Sequence, residues 1–232
     1  MQKVLLLTYY WPPAGGVAVQ RWLKFCKYLP EHGWIPHVIT VKDGSYPYID
    51  TSLEREVPPE VNLYRTHALE PFAIYNFFRG NEGKQLPTAF LDSSARKTFF
   101  QKVAEWVRAN FFIPDARLGW IPFAQRAAAS IIRSENIKVV ITTGPPHSTH
   151  LAGLWLKKRF EIKWVADFRD PWTNIFTNQY LPRSAYAQRK DERLESMVLS
   201  KADIITVIGP SMKKEFEGKA KKVEVIWNGY DD

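Results

Sequence analysis

Cys26 is the only cysteine among 232 residues, so no disulfide can close within the chain, and a reducing, cytoplasmic setting is expected. No stretch approaches the ~18 consecutive apolar residues that cross a membrane. The first apolar run is too short for a secretory leader, and no small-residue cleavage site follows it. Glycine signatures are also missing. There is no G-x-G-x-x-G, and no Lys-Ser/Thr follows a glycine loop, so neither the dinucleotide fingerprint nor a Walker loop is present. Without a G-x-S-x-G elbow, and with Cys26 on a predicted helix, nucleophilic catalysis lacks a candidate. Internal repeats and low-complexity segments are absent. Acidic residues are outnumbered, 24 against 32, leaving a net charge of +8. That balance favours anionic partners such as phosphates or an acidic membrane surface. No nucleic-acid-binding motif accompanies the charge, so nucleic acid is not an expected partner.

What is present is a globular composition, 45% hydrophobic and 24% charged. The organising stretch runs from Lys3 to Leu29. Val4 to Thr8 is a short apolar run, as expected of a strand buried on both faces. Tyr9, Tyr10, Trp11, Pro12 and Pro13 end it, and Ala14-Gly15-Gly16 makes a turn. From Val17 the period becomes helical, with Val19, Trp22, Leu23, Phe25, Cys26 and Leu29 on one stripe. Strand, glycine turn and helix together suit a phosphate, because free amides at a helix N-terminus face the sheet's carboxyl edge. A plain tight turn fits the same residues.

Further strands are expected at Trp34–Val41, Val61–Thr66, Lys138–Thr143, Ile162–Phe168, Asp203–Ile208 and Val223–Trp227. Helices are expected between the later ones, with Ser148 or Thr149 as cap of the one that ends near Phe160. Residues 68–92 resist assignment, and about 68–135 reads as an irregular, aromatic-rich helical segment. Within it, Ser93 or Ser94 can cap a helix whose Phe99, Phe100, Val103, Trp106, Val107 and Phe111 share a face. Arg96, Lys97, Lys102 and Arg108 lie elsewhere on it. Such a helix suits a membrane interface, although packing on its own domain is the commoner use of an apolar face. Strands alternating with helices predict an α/β fold, a doubly wound parallel sheet in one Rossmann-like domain spanning 1–232.

Ligands of such sheets bind outside the carboxyl ends of the strands. Tyr10, Trp11, Gly15 and Gly16 arrive there from the first strand, Gly144 and His147 from the fourth. The fifth delivers Asp167, Arg169 and Asp170. Three charges in four residues at the end of a buried strand need partners, whether a ligand or one another. His147 and His150 sit three apart, but no third metal ligand is evident, so no metal is expected.

Three blocks resemble the N-terminal half of the GT-B glycosyltransferases of family 4. They are TYYWPPAGGVAVQRWLKFCKYLPEHGWIPHVITV, TTGPPHSTHLAGLWLKKRFEIKWVADFRDPWTN and DIITVIGPSMKKEF followed by VEVIWNGYDD. The resemblance implies two Rossmann-like domains facing a cleft. The N-terminal one binds the acceptor, a glycan or lipid-linked molecule, and the other holds a nucleotide-sugar with paired glutamates. It implies transfer of a hexosyl-type sugar with retention, without a cofactor and usually without a metal. Gly15 and Gly16 match the turn that lies against the phosphates. Arg169 stands where many members carry a histidine that contacts the transferred sugar, and His147 matches a polar position. Arg169 and Asp170 are therefore the catalytic expectation. Tyr10, Trp11, Gly15, Gly16, Gly144, His147 and Asp167 are the substrate-binding one. The matching segment in the family leads into the donor domain, so residues 1–232 alone are expected to be inactive. A non-catalytic sugar-phosphate-binding module and a membrane-surface interaction protein are the alternatives.

Overall fold

Val4, Leu5, Leu6 and Leu7 are all buried, but they do not share one core. Leu5 and Leu7 pack in one hydrophobic cluster and Leu6 in another, because alternate side chains of a strand leave opposite faces. A strand apolar on both faces needs cover on both, and the chain supplies it. In the computed structural model, residues 1–69, 99–176, 178 and 181–229 are described. The expected caps Ser93 and Ser94, Arg96 and Lys97, and the unassigned stretch from 70 to 92 lie outside them.

The order is β1 (Gln2–Leu7), α1 (Val17–Tyr28), β2 (Trp34–Val41), β3 (Asn62–Thr66), α2 (Phe99–Phe111), α3 (Ile121–Ser134) and β4 (Val139–Gly144). Then follow α4 (Ser148–Lys157), β5 (Lys163–Phe168), α5 (Ala185–Lys201), β6 (Ile204–Val207), α6 (Pro210–Phe216) and β7 (Val223–Val225). The strands form one sheet ordered β3-β2-β1-β4-β5-β6-β7, and every neighbouring pair is parallel. The order reverses between β1 and β4. That is the switch point, where loops diverge and leave a crevice at the carboxyl edge.

One face of β1, β2 and β4 is covered by α3 and α4, through Ala124, Ala128, Ile131, Ala152 and Leu156. The other face of β1 and β2 is covered by α1, through Val19, Trp22, Leu23 and Cys26. Toward the other edge, Trp164, Ala166 and Phe168 pack with Val198, Leu199 and Phe216. Gly153 lets α4 approach β5: a Cβ there would lie 2.3 Å from the Trp164 indole. Cys26 is core, as expected, and burial pushes its thiol up to about 12.

After β2, Thr51–Glu56 forms a 3-10 turn capped by Asp50. One expectation of local structure is corrected. The cap of α4 is not supplied by Ser148 or Thr149. Asp115, from 33 residues upstream, accepts from both the amide and the hydroxyl of Ser148, at 2.8 Å each. A carboxylate satisfies more of a helix's open amides than a hydroxyl, and it complements the helix dipole.

Candidate functional site

The glycine turn is built by its neighbours. Gly15 donates its amide to the Tyr48 carbonyl at 3.0 Å, and Asp50 donates to the Pro13 carbonyl at 2.8 Å. A Cβ on Gly15 would meet the Tyr48 ring at 2.3 Å. Gly15 is thus a packing glycine whose amide is already used within the turn. Gly16 is the residue that opens the site. Its φ of 92° is a left-handed conformation that favours glycine. The amides of Gly16, Val17 and Ala18 find no acceptor among the described residues, and no side chain caps α1. This open N-terminus lies beside the switch point.

Trp11 lies in the core. It is fully buried and packs with Leu6, Ala14, Val19 and Leu23. The chain runs on beside β2 through Tyr9, and the Trp11 indole joins the core under α1. Tyr10 stays half-buried, edge-on to Tyr9 at 5.2 Å.

Asp167, expected to meet a substrate, is completely buried, and its carboxylate is saturated from inside. Oδ1 accepts from Arg21 Nη2 at 3.1 Å and from the Thr206 hydroxyl at 2.7 Å. Oδ2 accepts from the Trp22 indole and the Thr143 hydroxyl, both at 2.9 Å. Four donors on one buried carboxylate make it a structural hub that ties α1, β4 and β6 to the end of β5. Sequence reasoning missed Arg21, Trp22, Thr143 and Thr206. The one signal available was an arginine inside the apolar stretch of α1, because the partners lie 145 and 146 residues apart.

Arg169 follows at the edge, 8% exposed. Its Nη2 donates to the Pro145 carbonyl at 2.5 Å, and its Nε finds no partner. Among the described residues it makes no ion pair. Burial lowers its pKa, while Asp167 and Asp170 act against that without touching it. Asp170 is half-buried, with no side-chain partner among the described residues.

His147 and His150 lie in an aromatic layer. His147 stacks on Trp172, with centroids 5.2 Å apart and planes 6° apart. His150 stacks on Phe168 at 4.5 Å, and its Nδ1 pairs with the Thr142 hydroxyl at 2.9 Å. Both rings close over Gly144, where a Cβ would sit 2.7 Å from His150 Nε2 and 2.9 Å from His147 Nδ1. His150 Nε2 has no hydrogen-bond partner, and the His147 nitrogens make none of good geometry although the Pro171 carbonyl faces the ring. Burial pushes His147 down to about 3 and His150 well below its ordinary value, so both rings are neutral. No group of three or more His, Cys, Asp and Glu residues able to hold a metal occurs among the described residues.

The basic helix α2 also departs from expectation. Val103, Trp106, Val107 and Phe111 turn outward, with Phe111 64% exposed, instead of packing on the domain. Asn110 fastens the helix, donating to the Pro182 carbonyl at 2.8 Å and accepting the Ser184 amide at 2.7 Å.

An all-parallel sheet with helices on both faces and its polar residues at the switch-point edge is the Rossmann-like half of a GT-B glycosyltransferase fold. The chain is similar to a sucrose-phosphate synthase of Thermosynechococcus elongatus: TM-score 0.54, 14% identity, covering 99% of this chain and 91% of that one. It also aligns with a glycosyltransferase of Rickettsia africae (TM-score 0.47, 15% identity, 99% of this chain and 44% of that one). MurG of Acinetobacter baumannii aligns with TM-score 0.43 and 12% identity, over 100% of this chain and 47% of that one. The chain thus spans about half the length of the latter two. No curated protein sequence matches it. The sequence pattern of glycosyltransferase family 4 matches residues 87–232, and the chain belongs to that family.

Proposed function

We propose that residues 1–232 form the acceptor-side half of a transferase that moves a sugar, with retention, from a nucleotide-sugar to a glycan or lipid-linked acceptor. The observation that carries this reading is Arg169: a nearly buried arginine at the carboxyl edge that pairs with no carboxylate among the described residues. A buried charge without a partner is costly unless a ligand supplies the counter-charge. The leaving diphosphate accumulates negative charge in the transition state. Arg169 and the open amides of Gly16, Val17 and Ala18 are placed to stabilise it. Asp170, half-buried at the same edge, faces the sugar in this reading.

The test is Arg169→Ala and Arg169→Lys in the whole protein, assayed with a nucleotide-sugar panel and product detection by mass spectrometry. Turnover should fall about a hundredfold for Ala, the scale of losing one transition-state donor. Lys keeps the charge but not the planar fork, and should restore it only in part. Unchanged turnover per folded molecule, for both variants, refutes the assignment.

A second reading rests on α2. Its outward Trp106 and Phe111, in a chain of net charge +8, suit the surface of an anionic bilayer. Anionic liposomes should capture the protein less as salt rises, and Trp106→Asp with Phe111→Asp should abolish capture. Equal binding to neutral vesicles removes the electrostatic part.

A further inference from the structure

The carboxyl edge carries a second arginine, and its partners come from distant parts of the chain. Arg21, in the second turn of α1, is buried. Its Nη2 donates to Asp167 Oδ1 at 3.1 Å. Its Nη1 donates to the Trp227 carbonyl at 3.1 Å and to Asn228 Oδ1 at 3.0 Å. The guanidinium carbon stands 4.8 Å from the centre of the Phe25 ring. Residues 226–229 follow β7 and are exposed. Among the described residues, the one other hydrogen bond into them runs from the Ile226 amide to the Val207 carbonyl, 2.8 Å.

An ion pair alone does not explain this arginine. Asp167 already accepts from three other groups, and a buried pair contributes little net stability over an apolar substitute. The segment 226–229 has no comparable surplus. We propose that Arg21 is a positioning residue: one guanidinium fastens the segment leaving β7 to α1 and to Asp167. The open N-terminus of α1 and residues 226–229 are then held as one rigid unit, and the direction in which the chain leaves the sheet edge is set by the helix that carries the glycine turn. The planar fork is essential, because its two edges bind two partners at once. A lysine can keep its charge near Asp167 but cannot hold both. The inference is independent of sugar transfer.

Hydrogen exchange on the whole protein, without ligand, tests it. Arg21→Lys should raise exchange at the Ile226 amide roughly tenfold or more, as expected of a local opening, while the core amides of Val4 to Leu7 stay as protected as in the wild type. Asn228→Ala, an exposed change that leaves the ion pair intact, should raise Ile226 exchange to a lesser degree. The double variant should exceed Arg21→Lys by nothing, since both act on one contact. Two results overturn the proposal. One is unchanged Ile226 exchange in either single variant. The other is an equal rise at Ile226 and across Val4 to Leu7, which makes Arg21 an ordinary part of the core.

Discussion

Acid should charge His147 in the unfolded chain long before it charges the same ring in the folded protein. Burial holds the folded ring near 3 against an ordinary 6.5, with the Pro171 carbonyl opposing in part and the Arg169 charge adding to the shift. A depressed pKa means that the unfolded state binds the proton first. Stability is therefore full above 6.5 and is lost as the pH falls toward 3. Between 6.5 and pH 5, at about 1.4 kcal/mol per pH unit, the loss is about 2 kcal/mol. His150 acts in the same direction. Asp115, Asp191 and Glu195 act in the other: burial raises each, so the folded state takes up their protons first and gains stability as the pH falls through their range. The total pH curve mixes these effects, but a substitution isolates one of them. His147→Phe keeps a flat ring on Trp172 and has no proton to gain. Urea unfolding of both proteins at pH 7 and pH 5 gives the comparison. The wild type should lose about 2 kcal/mol more than His147→Phe across that interval. Equal losses would refute the claim that this ring is held neutral by burial.

Three further outcomes follow from the packing. Asp167→Ala strands Arg21 and three hydrogen-bond donors, so it should cost about 3–5 kcal/mol and lower the melting temperature by roughly 10 °C; a drop of only a degree or two contradicts the hub. Gly153→Ala drives a methyl to within 2.3 Å of the Trp164 indole. Overpacking of about 1–3 kcal/mol should outweigh the gain in helix propensity of about 1 kcal/mol, and calorimetry showing a more stable variant would count against that close approach. Cys26, with its thiol near 12, should resist a thiol reagent at pH 8 until urea unfolds the chain; fast labelling of the native protein would place it at the surface.

The sheet was legible because its signal is local. Trp34–Val41 was read to the residue, and every other strand within two residues at either end, since a buried apolar run bounded by turns needs no distant information. Site roles depend on where side chains turn, and that is not local. Trp11 follows the first strand as closely as Tyr10 does, yet one is core and the other half-exposed, because Leu6, Ala14, Val19 and Leu23 close around the indole. Gly15 and Gly16 look equivalent in sequence. Tyr48 decides between them by taking the amide of the first, and Tyr48 sits in a loop whose polar composition said nothing of that contact. The α4 cap failed for the same reason: Ser148 is a good cap by type, but Asp115 arrives from a segment with no visible tie to it.

The two arginines near Asp167 show how a distant partner changes a local reading. From the sequence alone, Asp167, Arg169 and Asp170 form a cluster that can neutralise itself. Arg21 removes that option. It arrives from the first helix and, with Trp22, Thr143 and Thr206, takes every acceptor direction of Asp167. Asp170 touches no cation among the described residues, and Arg169 is left holding a backbone carbonyl. The charge that α1 brings to the edge is spent inside the fold, and the charge that β5 brings is not. Among the described residues no carboxylate touches Arg169, and Asp167 and Asp170 act on it only from a distance. The same helix that commits Arg21 begins with three amides that find no acceptor among the described residues. In the proposed reading an anion at that edge meets Arg169 and the N-terminus of α1, the helix that the buried ion pair of Asp167 ties to the end of β5.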